Sequence, residues 1–348
     1  MMNEGKVMTA LGPIEPGEVG ACVTHEHILF DWGETYWTEP QTEEEKALAD
    51  APICLENRGI LQRNPFLIKE NFWQESVHDA VREVADFKRS GGGTIVEVTP
   101  IGQGRDPAGL LEISRQTGVN IIANTGFYIE AGHPSYVAEK SADELADILV
   151  REIAEGIDGT GVRPGFMGDV GTTKTVSKNE EKCLRAVARA HLRTGVPFGI
   201  HVDPSDRQAM IVVRILREEG VRPERMVMEH MDEQPDHDYQ LEVAETGVYL
   251  EFDTWGSEFY YGPPYSVPEP RDIERAECVK YLIDKGHLNQ LLLAQDVWLR
   301  QLMKKYGGEG YDSLFRYGIP RLKLAGVTQE QIDVMLVENP KRLLPLGV

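Results

Sequence analysis

Two histidines separated by one residue, His25 and His27, stand in the stretch Ala21-Cys22-Val23-Thr24-His25-Glu26-His27-Ile28-Leu29. In an extended segment alternate side chains share a face, so two imidazoles at a strand end reach one divalent cation from the same side. A His-x-His pair also arises by chance, and alone it decides little. Four more groups change the weighing: Asp169, His201, His230 and Asp296 each close a short apolar run. Six imidazole and carboxylate groups are too many for one tetrahedral ion. They suit two ions about 3.5–4 Å apart with a carboxylate between them. Water shared by two such ions ionises with a pKa of about 7, which describes a hydrolase without a Ser or Cys nucleophile. Asp296 would be both a ligand and the acceptor of the water proton.

The elements that must carry these groups follow from periodicity. Residues 6–19 read as a hairpin with Gly-Pro and Pro-Gly turns. Residues 31–68 hold no clean period, apart from an acidic helical stretch over 43–51. So long a connection in a compact domain is usually functional, and its aromatics argue against disorder. From residue 70 strands and helices alternate, with strands over 94–99, 120–124, 165–170, 197–201, 225–230, 248–253 and 290–296. Helices are expected at 77–87, 107–117, 141–156, 178–194, 206–219, 236–246 and 271–286, and Asn339-Pro340 reads as the start of a terminal helix. Counting the His-x-His strand gives eight strands, which predicts an α/β chain folded as a single (β/α)8 TIM barrel over 1–348. In such barrels the active site lies at the C-terminal strand ends, where all six groups fall.

Composition narrows the partners. With 57 acidic against 36 basic residues the net charge is −21, which repels nucleic acid, so a small-molecule substrate is expected. No apolar run approaches the ~18 residues of a membrane span, and Met1-Met2-Asn3 does not open a secretory leader. Cys22, Cys54, Cys183 and Cys278 lie far apart without a Cys-x-x-Cys pair, which fits a reducing cytoplasm. Cys22 and Cys183 read as small core residues.

Several motifs in order also carry a resemblance. They are Thr24-His25-Glu26-His27, Gly104-Arg105-Asp106, Thr125-Gly126-Phe127-Tyr128, Gly195-Val196-Pro197 with His201, His230, Asp296, Tyr306-Gly307-Gly308 with Gly310-Tyr311, and Glu338-Asn339-Pro340-Lys341-Arg342. In these the chain resembles the phosphotriesterase family of the amidohydrolase superfamily, particularly its phosphotriesterase-related branch. The resemblance implies a barrel with two divalent ions, usually Zn2+, with Mn2+ or Co2+ also able to serve. By motif position His25, His27 and Asp296 would hold the buried ion, and His201 and His230 the more exposed one. The bridging position departs from the family pattern. Phosphotriesterases proper carry a lysine there that becomes carboxylated, and the related branch usually a glutamate. Here Asp169, one methylene shorter than glutamate, must bridge from closer in, which could weaken the exposed site. The branch points to lactones, esters or N-acyl amides, with phosphotriesters as promiscuous substrates. Homodimers are common in the family.

Other residues are weighed singly. Tyr128 stands where lactonase members place a tyrosine near the bridging water, so it is a candidate for contact with water or substrate. Arg207 could bind a substrate carboxylate, although a solvated helix residue is the plainer reading. Trp255, Phe259 and Tyr260 belong to an aromatic stretch over 254–265 that reads as a pocket wall, against packing on helices or on a second subunit. Glu26 faces away from its neighbouring histidines and reads as support for them. Arg105 and Asp106 read as a structural pair or a helix start rather than as substrate contacts. The competing functional class is a non-catalytic binding protein of the same fold with one ion or none.

Overall fold

The computed structural model describes residues 3–263 and 265–347. The Met1-Met2 start and Pro264 of the aromatic stretch lie outside the described residues. The chain is α/β with parallel sheets. We number the long-range parallel strands β1 (Ala21–Glu26), β2 (Gly92–Glu97), β3 (Asn120–Ile122), β4 (Met167–Gly171), β5 (Phe198–His201), β6 (Met226–Met228), β7 (Tyr249–Phe252) and β8 (Leu291–Leu293). One sheet pairs β1, β2 and β3, and the other runs β4-β5-β6-β7-β8, every pair parallel. A single parallel bridge, Asn124 to Phe166, joins the end of β3 to the approach of β4. At the other seam the Asp296 N–H reaches the His25 carbonyl at 3.3 Å. The strands are short and almost wholly buried, and most of the polar site residues lie at or just past their ends.

Helices α1 (Val77–Arg89), α2 (Pro107–Thr117), α3 (Ala142–Glu155), α4 (Lys178–Thr194), α5 (Ala209–Glu218), α6 (His237–Glu245) and α7 (Asp272–Asp284) separate the strands. Side-chain caps start most of them, as the Ser/Asp positions predict: Ser76, Asp106, Ser141, Ser177 and Asp236 each accept an N–H of the first turn. α3 buries Leu145, Ala146 and Leu149 at helical spacing. The hairpin is present as Val7–Thr9 against Gly12–Ile14. The long first connection is ordered, with a helix at Glu43–Ala49 and a strand pair joining Phe30–Asp31 to Trp73–Gln74.

The end of the chain differs from the sequence reading. Asn339-Pro340 does not start a separate helix. It continues one that begins at Gln329 and passes through a wide π turn at Val334–Glu338. Proline cannot donate to the carbonyl four residues back and its ring crowds it; the widened turn relieves that conflict. Asn339 also donates to the carbonyls of Leu288 and Leu291 at 2.9 and 2.6 Å, which anchors the start of β8. Cys22, Cys183 and Cys278 are buried free thiols, and Cys54 is exposed. No described helix is long and apolar enough to cross a membrane.

Candidate metal centre

The six expected groups meet at one end of the strands. His25 is next to last in β1 and His27 follows its end; Asp169 lies in β4 and His201 ends β5; His230 and Asp296 follow β6 and β8. They form two triads. In the first, Asp296 Oδ1 is 3.7 Å from His25 Nε2 and 3.4 Å from His27 Nε2. In the second, Asp169 Oδ1 is 3.4 Å from His201 Nδ1 and 4.0 Å from His230 Nε2, and those two nitrogens are 2.7 Å apart. Asp169 stands between the triads, its other oxygen 3.7 Å from His27 Nε2. All six are buried except His201, which keeps 16% of its side chain exposed and forms the open corner.

Each imidazole is oriented by what its other nitrogen meets. His27 Nδ1 lies 3.0 Å from the Thr99 hydroxyl, which itself donates to Glu97 Oε1 at 2.5 Å, so His27 is the donor and its Nε2 is left to face the aspartates. His230 Nδ1 is 3.0 Å from Asp253 Oδ1, and its backbone N–H donates to Asp253 Oδ2 at 2.9 Å. His25 Nδ1 faces three buried carboxylates, Glu229, Glu251 and Asp253, at 3.7, 3.5 and 3.6 Å. Gly199 makes room for Glu229, because a Cβ there would collide with its carboxylate. Tyr311, from the motif after β8, donates its hydroxyl to the His27 carbonyl at 2.7 Å.

The electrostatics follow from this crowding. Burial opposes a charge on His25, but Glu229, Glu251, Asp253 and Asp296 outweigh it and raise its pKa well above the usual imidazole range. Burial lowers the pKa of His27 and of His230. Burial alone would raise Asp169; His201, with His25 and His27 behind it, holds it at about 2. Asp296 is likewise lowered, against its burial, by His27 and His25. A divalent ion fits these groups: His25 Nε2, Asp169 Oδ1 and Asp296 Oδ1 are buried without a hydrogen-bond partner. The two triads are among the clusters whose ligand atoms converge closely enough for an ion.

The remaining expectations divide. The Tyr128 hydroxyl is 3.5 Å from His201 Nδ1, beside the open triad. The four other substrate candidates lead elsewhere. Arg207 is half exposed, ion-paired with Asp236 and lies over Tyr239. Trp255 is buried with its ring against Gly318, Phe259 is buried edge-on to Tyr261, and Tyr260 is exposed in a short strand pair with Pro268. The helix-packing reading therefore describes Trp255 better than a pocket wall does. A row of rings extends from the site instead. It runs from His27 to Trp32 (4.8 Å), Tyr128 (5.2 Å), Tyr36 (6.2 Å), Trp298 (5.3 Å) and Tyr261 (6.5 Å). Tyr36 and Trp298 had no local signal, since each acts through residues distant in the chain; Asp253 closes the 248–253 run just as the ligands close theirs, and that signal was passed over. Asp106 caps α2, the expected helix start, while Arg105 pairs twice with Glu152 rather than with Asp106.

Comparison with known proteins agrees with this geometry. The model of the phosphotriesterase family matches residues 5–344. N-acetyltaurine hydrolase of Bos taurus is 37% identical over 343 residues, covering 98% of each protein, and that of Homo sapiens is 36% identical over 345 residues with the same coverage. A resiniferatoxin-binding protein from Rhodobacter sphaeroides superposes with a TM-score of 0.95 at 37% identity, over 98% of this chain and 95% of that one. A lactonase from Listeria monocytogenes superposes with a TM-score of 0.80 at 25% identity, over 99% and 100%.

Proposed function

We propose, from the premise that this chain belongs to the phosphotriesterase family and is a metal-dependent hydrolase, that it cleaves the amide bond of a small N-acyl substrate. The work is done at a two-ion centre in the mouth of a closed (β/α)8 barrel. Hydrogen bonds across both seams, at Asn124–Phe166 and Asp296–His25, support closure. The position of Asp169 carries the reading: it is the carboxylate that faces both triads, at 3.7 Å from His27 and 3.4 Å from His201. His25, His27 and Asp296 would hold the buried ion, His201 and His230 the open one, and Asp169 both. Zinc suits this donor set, and manganese or cobalt can replace it. Bound ions supply a Lewis acid for the scissile carbonyl and bring the pKa of water toward about 7.

The chain's own residues do the rest. Asp296, beside the ligand histidines, takes the proton of the attacking water and returns it to the leaving amine. An amide needs that return because an amine leaves poorly unprotonated. The Tyr128 hydroxyl, held at 2.5 Å by Tyr36, is placed to orient the substrate oxygen next to His201. Trp32, Tyr36 and Trp298 exclude water from one side. The N-acetyltaurine hydrolases, similar over nearly their whole length, support the amide. Tyr128 and the likeness to the Listeria lactonase favour a second reading, lactone hydrolysis.

A panel tests this: N-acetyltaurine, N-acetyl amino acids, lactones, an aryl ester and a phosphotriester, with metal-loaded and metal-stripped protein. The expected result is amide turnover that stripping abolishes. Lactone turnover alone selects the second reading, and no turnover by loaded protein contradicts both.

A further inference from the structure

Five described residues other than glycine have a left-handed backbone, and three of them are site residues: Asp169 (φ +41°), His230 (+58°) and Asp296 (+50°). That conformation is unfavourable for any residue with a Cβ and persists only where surroundings impose it. At or beside each of the three a buried polar side chain from the neighbouring strand end hydrogen-bonds the backbone. Glu26, at the end of β1, accepts the N–H groups on both sides of Asp296: Gln295 at 2.8 Å on Oε1 and Val297 at 3.0 Å on Oε2. Asp253, after β7, accepts the His230 N–H at 2.9 Å. Asn124, after β3, accepts the Gly168 N–H at 2.5 Å and donates to the Gly168 and Val98 carbonyls at 3.0 and 2.6 Å, fixing the residue before Asp169. None of the three is more than 2% exposed.

We propose that Glu26, Asn124 and Asp253 are positioning residues. Each clamps the backbone at one ligand so that its side chain already points at the centre before an ion arrives. The inference rests on the ligand assignment above. It makes the Glu26 clamp specific: Glu26 holds the backbone at Asp296 of the buried triad, whereas Asp253 holds His230 and also lies 3.6 Å from His25 Nδ1. The carboxylate of Glu26 matters because it accepts two amide protons at once. A glutamine offers one acceptor oxygen and turns an NH2 group toward the second amide.

The test uses the full chain, stripped of metal and titrated with Co2+ alone. Chelator competition gives the affinity, and the visible d–d spectrum reports the geometry. His201→Ala leaves only the buried triad intact, and Asp296→Asn only the open one. In the His201→Ala background, Glu26→Gln is expected to lower cobalt affinity by roughly 10–100-fold and to change the spectrum. In the Asp296→Asn background it should leave both within about threefold. Equal losses in both backgrounds, or none in either, overturn the proposal. If Glu26→Gln fails to fold by circular dichroism, Glu26→Asp, which keeps the carboxyl group but reaches one amide, is judged by the same contrast. A wild-type chain that binds no cobalt overturns the ligand assignment, and the clamps with it. A wild type that binds two ions while the contrast is missing overturns the clamps alone.

Discussion

The two triads share their chemistry and differ in how they are held. His25 lies in β1 and His27 directly after it, and Thr99 orients the ring of His27. Neither is more than 2% exposed. His201 and His230 come from different strands; His230 depends on Asp253 for its backbone as well as its ring, and His201 opens to solvent beside Tyr128. A preformed, buried set of ligands loses little freedom on binding, whereas an open set must be gathered. The buried triad should therefore keep its ion tightly, and the open triad should exchange its ion and meet the substrate.

The largest expected effects come from removing a ligand on either side. Asp296→Asn removes the carboxylate proposed as both buried ligand and proton acceptor, and should lower kcat/KM by roughly a thousandfold or more. Asp169→Ala should release one of two zinc equivalents and lower kcat/KM by roughly a hundredfold, the tighter equivalent remaining by elemental analysis. Loss of both equivalents in Asp169→Ala would break the distinction between the triads.

Acid should separate the triads next. His25 has a raised pKa, so below that value it carries a proton that an ion must displace. Its loss on binding makes zinc affinity of the buried triad fall as pH falls, by up to about tenfold per pH unit. His230, lowered by burial, has no proton to give up near neutrality. Zinc affinity of the His201→Ala variant, measured from pH 8 to pH 6, should show that slope; a flat profile would remove the role of the acids facing His25. A smaller effect is expected from Thr99→Val, which leaves His27 Nδ1 without its partner. Affinity at the buried triad should fall roughly tenfold and the open triad should not change.

Much of this arrangement was legible in the amino-acid sequence, and the reasons are physical. His25, His27, His201, His230 and Asp296 could be found because chemistry-bearing residues closed apolar runs of strand length, and a parallel α/β chain puts such ends together. Asp169 was found by the same rule, but its reach was not, since a left-handed φ of +41° has no signature in an aspartate. Glu26 was read as support from its alternation; that it spans to Gln295 and Val297, some 270 positions away, could come only from the fold. The aromatic stretch over 254–265 misled because it is mostly irregular. Without a period to say which side faces inward, Trp255 and Tyr260 could not be told from Tyr261, which meets Trp298, or from Tyr265, which reaches Tyr36 through Phe66.

The most direct test of the central claim is a stepwise zinc titration of metal-stripped protein, with amide or lactone hydrolysis followed at each addition. Two ions that act together predict little activity through the first equivalent, which fills the buried triad, and a rise to full rate across the second. Full rate at one equivalent, or hydrolysis without zinc, would contradict a two-ion centre bridged by Asp169.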